Sequence, residues 1–169
     1  MTRLTGKTAG LTALAIAALA LAWWLLSPLF LSTRVEENLP GVPGAGGAAP
    51  SEVRRLKSGL LQDADSFHKG SGEATILRAA DGSALLRLDR ITVTNGPDLH
   101  VFLTPHPKPA TQSEAQTTGY VDLGPLKANT GSHNYPIPGA TNLDAQQSVV
   151  IYCLPFNVVF STARLQPVS

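Results

Sequence analysis

One residue in this chain of 169 stands out for its chemistry: Cys153, the only cysteine. It lies near the end of the apolar run Ser148-Val149-Val150-Ile151-Tyr152-Cys153-Leu154. A thiol acts as a nucleophile or a ligand only as the thiolate, which needs a neighbouring cation or a helix N-terminus. Nothing basic sits beside Cys153 in sequence, the nearest being Arg164. A cation would therefore come from another strand, with His68 and Lys127 as the candidates. The competing reading is plain packing, because free cysteine is among the most buried residue types. A lone cysteine excludes an intramolecular disulfide framework and a cysteine-rich zinc site. The covalent haem motif C-x-x-C-H is absent as well.

His68 is the second candidate, in the Gly-rich stretch Phe67-His68-Lys69-Gly70-Ser71-Gly72, where a polar side chain can point into a site. Its alternative role is to hydrogen-bond backbone and fix the Gly70-Ser71-Gly72 turn. His100 alternates within Leu99–Leu103 as a surface or rim residue, His106 belongs to a loop, and His133 precedes a short strand. No two histidines show metal-ligand spacing, so no dedicated metal site is expected. Hydrolytic and nucleotide chemistry find no support either, since G-x-S-x-G, phosphate-loop and dinucleotide motifs are missing. Asn95-Gly96-Pro97-Asp98 and Asn129-Thr130-Gly131 read as turns, with Asp98 and Asp122 accepting hydrogen bonds there.

The elements that must position these residues are strands. After Gly59 short apolar runs alternate with turn residues: 72–78 and 83–88 around Asp81-Gly82, then 91–93, 99–103, 120–123, 134–137, 148–154 and 157–165. Residues 140–147 could make a turn, and no sustained helical period appears. The expectation is an all-β sandwich of about 7–9 short strands. Residues 148–154 are apolar at both parities, so that strand is central and covered on both sides. Val149, Ile151 and Cys153 point one way, and Val150, Tyr152 and Leu154 the other. The Cys153 sulfur is thereby expected among core side chains.

The N-terminal part is of another kind. Residues Ala9–Leu31 carry no charge and, as a helix, span about 35 Å, against about 30 Å of bilayer hydrocarbon. Trp23 and Trp24 lie toward the outer boundary, and Pro28 bends or ends the helix there. Arg3 and Lys7 precede the span, placing the N-terminus inside and the remainder outside the cytoplasmic membrane, in the periplasm or on the cell surface. Ala20-Leu21-Ala22 has the form of a signal-peptide cleavage site, but the Trp-Trp-Leu-Leu after it makes an uncleaved anchor the better reading. Residues 38–50 are dominated by Gly, Pro and Ala and read as a flexible tether. The expected organisation is 1–35 cytoplasmic tip and transmembrane anchor, 36–58 tether, and 59–169 β domain. Arg54, Arg55 and Lys57 fall in the tether as a solvated basic lead-in. A net charge of +1 with 15% charged residues excludes a nucleic-acid binder, and 43% hydrophobic residues exclude disorder.

Five segments make the β region familiar: residues 67–72, Leu86-Arg87-Leu88, residues 94–99, residues 122–127 with Gly131 and Asn134-Tyr135, and residues 150–153 with Phe156, Phe160 and Ala163. In that order they resemble the DM-thirteen electron-transfer domain, grouped with DOMON-type modules. Pro28-Leu29-Phe30 and Val35–Pro40 are similar to bacterial members with a single anchor. The resemblance implies a DOMON-like sandwich and a redox role for Cys153, as a free thiol or as the attachment point of a prosthetic group such as haem. His68 is the second residue expected to bind such a cofactor. Without C-x-x-C-H, any haem would be non-covalent. A redox partner protein is implied but not identified. The reading from a different class is a non-catalytic module that binds a ligand or envelope partner, with a structural cysteine.

Overall fold

A computed structural model of the chain describes residues 6–30, 32–39 and 53–168, with side chains of the first stretch described over 10–23. In chain order the elements are α1 (Gly6–Phe30), β1 (Arg34–Glu36), β2 (Arg54–Asp63), β3 (Gly70–Arg78), β4 (Ala84–Val93), β5 (Leu99–Thr104), α2 (Gln112–Ala115), β6 (Val121–Pro125), β7 (Thr130–Ile137), β8 (Ser148–Cys153), β9 (Val158–Arg164) and β10 (Gln166–Pro167). The strands form one curled sheet in the order β1-β7-β4-β3-β2-β9-β8-β5-β6, with β10 on β2. β2 belongs to both layers: Arg54–Leu60 pair with β3, and Leu61–Asp63 pair with β9.

The expectation of an all-β domain holds, with ten strands among the described residues instead of seven to nine. Between the layers lies the main core, where Ile76, Leu86, Leu88 and Ile91 face Val101, Leu103, Val149 and Ile151. Every residue of β8 is buried. Val149, Ile151 and Cys153 join the main core. Val150 and Tyr152 join a second cluster with Phe102, Ala115 and Val159 on the outer face. The parity expected from the sequence is therefore observed, because α2 covers the face that solvent would otherwise wet. Where β6, at one edge of the sheet, approaches β7, the buried Tyr135 phenol bridges them. It accepts from the Lys127 N–H at 3.0 Å and donates to the Pro125 carbonyl at 3.4 Å. Burial pushes that phenol up to about 12.

The sequence splits β4 in two because its alternation breaks after Leu88. Leu86 and Leu88 are buried, and so are Ile91 and Val93, three residues on. Arg90, at φ 48°, absorbs the extra residue in a bulge opposite Gly72. A side chain at Gly72 would meet the Ile91 Cα at 2.7 Å.

The boundaries expected for the tether are corrected at both ends. β1 lies at the end of the stretch read as anchor, and β1 pairs in parallel with β7 through Arg34↔Thr130, Val35↔Gly131 and Glu36↔Ser132. Residues 54–58, read as solvated lead-in, are the first half of β2. The Gly/Pro/Ala stretch over 40–50 lies outside the described residues. The strands on either side of it in the chain, β1 and β2, both belong to the sheet. Lys57 is one reason β2 forms: its ammonium donates to the carbonyls of Leu143, Asp144 and Gln146 at 2.9, 3.0 and 2.8 Å. Lys57→Met is expected to cost about 1–2 kcal/mol, read as a lowered urea midpoint. An unchanged midpoint would show that the three bonds merely replace water.

α1 is one helix through Pro28, which lies within its last turn. Its large described side chains, among them Leu11, Leu14, Leu19 and Trp23, are exposed. Among the described residues no helix is long and apolar enough to cross a membrane.

Candidate functional site

Cys153 ends β8, beside Leu99 on β5 and Val158 on β9. It is 0% exposed. Its Sγ donates to the Pro97 carbonyl at 3.1 Å. The turn that supplies this carbonyl, residues 95–98, is pinned from several directions. The Leu154 N–H donates to the Asp98 carbonyl at 3.2 Å. Asp98 itself sits at φ 49°. Gly96 leaves room only for Phe160, whose ring carbon would lie 2.6 Å from an added Cβ. Burial pushes the Cys153 thiol up from its ordinary value, with the Phe156 N–H opposing and the Asp98 carboxylate adding to the push. The residue is thus held as a protonated thiol, the opposite of an activated nucleophile.

Neither cation considered as an activator acts on it. Lys127 donates to Glu37 at 2.7 Å and to the Asn134 carbonyl at 2.8 Å, and lies over the Tyr135 ring. His68 stands at the same end of the fold, in the β2–β3 turn. Its Nδ1 meets the Asp65 carboxylate at 2.6 Å, and its ring packs against Phe160 with centroids 4.4 Å apart. Asp65 also accepts the N–H groups of Phe67 and His68, both at 2.7 Å. The His68 side chain first, then these backbone donors, lower Asp65 to about 2. His68 therefore orders its own turn over residues 65–68, one step before the glycines. Phe160, between His68 and Gly96, is the shared wall of the two candidates.

His100 faces outward on β5 between two carboxylates, Asp122 at 2.9 Å and Asp98 at 3.4 Å. His106 is 3.9 Å from Glu114, which caps α2. His133, read as lying before its strand, is inside β7 and wholly buried, with no hydrogen-bond partner at either ring nitrogen. Extending the alternation of Tyr135 and Ile137 backward would have found it. Glu37 was missed for lack of any local signal. Its carboxylate accepts the Asn134 N–H at 2.7 Å as well as Lys127.

A prosthetic group held by Cys153 and His68 does not fit these residues. The sulfur is sealed in apolar packing and already bonded, and the imidazole is engaged on its ring face and at Nδ1. Among the described residues no three His, Cys, Asp or Glu side chains cluster as a metal site. Away from these two residues, a groove of about 560 Å³ lies outside β2–β4, lined by Arg55, Glu73, Thr75, Arg87, Asp89 and Arg90. Its guanidiniums are already paired with its acids, Arg55 with Glu73 and both Arg87 and Arg90 with Asp89.

A family model described as "Electron transfer DM13" matches residues 62–165. Among curated proteins none matches the chain. Among solved structures the fold is similar to Candida albicans superoxide dismutase 5 in its Cu(II) form, with 13% identity, a TM-score of 0.47, and coverage of 70% of this chain and 94% of that one. A mutant of the same enzyme gives 13% identity and a TM-score of 0.42, covering 72% and 100%.

Proposed function

Since the chain belongs to the DM13 electron-transfer family, we propose that it is a membrane-anchored, extracytoplasmic redox module that works through Cys153. The observation that carries the reading is the match of residues 62–165 to an electron-transfer family, with Cys153 inside the matched region. Raised by burial, the thiol is a poor nucleophile, and with one cysteine the chain cannot close its own disulfide. With neither a free thiolate nor a second thiol, the sulfur would give one electron to an external one-electron oxidant and release its proton, becoming a thiyl radical that an external reductant and a proton return to the thiol. The anchor reading draws on the uncharged sequence Ala9–Leu31, which as one helix would span about 35 Å; the described side chains of α1, residues 10–23, cover only part of that run. Arg3 and Lys7 before it favour an outward-facing β domain.

The second reading, a binding module with a structural cysteine, is favoured by the same complete burial and by the arginine-rich groove. Full-length protein in detergent, titrated with one-electron oxidants and reductants, separates the two. The redox reading expects electron uptake or release by the wild type that is lost in Cys153→Ser. Identical titrations would assign the cysteine to packing. Stability supports the comparison, because a serine hydroxyl can still donate to the Pro97 carbonyl. Cys153→Ser is expected to cost only about 1 kcal/mol, so lost electron exchange would not report unfolding. Native labelling of Cys153 by a thiol reagent should be slow and should accelerate on unfolding. Fast labelling of the folded protein would contradict the sealed site.

A further inference from the structure

The path of the chain from α1 into the sheet fixes which end of the β domain meets the anchor. β1 starts at Arg34, four residues after Phe30 closes α1. Fully extended, those four steps reach about 14 Å. Arg34 pairs with Thr130, the first residue of β7, and Thr130 pairs with Thr92 at the end of β4. The Thr130 N–H donates to the Thr33 carbonyl at 3.1 Å, and the Val93 N–H to the Asn129 carbonyl at 2.9 Å. The same end carries the β2–β3 turn, since Gly70 pairs with Val93 and the Thr94 N–H donates to the Lys69 carbonyl at 3.0 Å. It also carries the β8–β9 turn, joined to the β4–β5 turn through Leu154 and Asp98.

Two of these turns display phenylalanine to solvent, Phe67 at 80% and Phe156 at 67% exposure. Nothing in the domain's packing requires either ring to be outside. Several charged groups around them are engaged within the domain: Lys69 with Asp63 and Lys127 with Glu37 as ion pairs, and Asp65 in hydrogen bonds to His68 and the turn backbone, with Lys108 also nearby. An end that is apolar at its tips, with most of the charge beneath them engaged, suits the interfacial layer of a bilayer. It needs no anionic headgroups. We infer that the end of the β domain bearing Phe67 and Phe156 rests on the lipid bilayer, with both rings in its interfacial layer. This rests on the anchor reading above. The expected tether would have let the domain range freely, whereas the docking of β1 leaves only the link to α1. Cys153 lies behind the 95–98 turn of this same end, so a reactant approaching it there comes from the bilayer side.

The test uses the full chain with Trp23→Phe and Trp24→Phe, which removes the only native tryptophans. A single reporter is added as Phe67→Trp, Phe156→Trp or, at the opposite end in the β3–β4 turn, Ala80→Trp. Each is reconstituted in phosphatidylcholine vesicles with and without lipid brominated in the upper acyl chain. Reporters at 67 and 156 should show blue-shifted emission and roughly two-fold quenching, with the reporter at 80 unaffected. Protein retained through a carbonate wash, with all three reporters equally unquenched, would overturn this inference and leave the anchor standing. Release by the wash would overturn the anchor reading and this inference together.

Discussion

Gly131→Ala is expected to destabilise the folded protein by about 3–5 kcal/mol and to loosen β1 from β7. Gly131 has φ 110°, a conformation that an L side chain rarely adopts. A Cβ there would stand 1.9 Å from the Val35 carbonyl oxygen, a backbone atom that cannot rotate aside. β1 would have to move, and much depends on its place. The Glu37 N–H donates to the Ser132 carbonyl at 2.8 Å, its carboxylate holds Lys127 and Asn134, and its carbonyl accepts from Arg87. Urea unfolding of the full chain in detergent should show the lowered midpoint. Amide exchange at Val35, Glu37 and Thr130 should become fast while the β8 amides stay protected. A wild-type midpoint with protected β1 amides would show that the sheet relaxes around the methyl group. On the proposed anchored reading, the same substitution removes the strand that follows α1 from the sheet.

The sequence reveals those parts of the fold that rest on local pattern. β8 is apolar at both parities, so its central place and the burial of Cys153 follow from alternation alone. β1 is three residues long, with two charges and one apolar side chain, and only its distant partner β7 makes it a strand. β2 reads as basic lead-in because Arg54, Arg55 and Lys57 dominate its start; the acid and carbonyl partners that make those charges structural come from Glu73 and residues 143–146. The same reasoning separates the candidates. Cys153 and His68 were legible as residue types in unusual settings. Asp65, which engages His68 three residues on, is a local turn partner that the sequence could have offered; the turn that seals Cys153 depends on how separate loops meet at one end, which spacing along the chain does not encode.

His133→Leu is expected to stabilise the domain by about 1–3 kcal/mol and to remove a loss of stability on mild acidification. The imidazole is fully buried on the inner face of β7, opposite Leu88 in register and near the Tyr135 ring. Neither ring nitrogen has a partner at bonding geometry, and a buried donor left unsatisfied costs more than an apolar group of similar size. Burial is the largest influence on its titration and lowers its pKa. The Thr130 backbone and the carboxylates of Glu37 and Glu36 oppose this, and Lys127 adds to it. A histidine lowered by folding is protonated first in the unfolded chain. Its contribution is therefore complete above the unfolded value of about 6.5 and declines as pH falls from there toward the folded value. Once both states carry the proton, the loss levels off. Glu37 and Asp89 are held below the ordinary carboxylate range, so their losses begin only at lower pH, near the unfolded carboxylate values. Urea unfolding of wild type and His133→Leu at about pH 7.5 and about pH 5.5 isolates the histidine. The variant should be the more stable at both, with the gap wider at the lower pH. A gap that closes on acidification would mean that the imidazole is stabilised as the cation, and that Glu37 and Glu36 outweigh its burial.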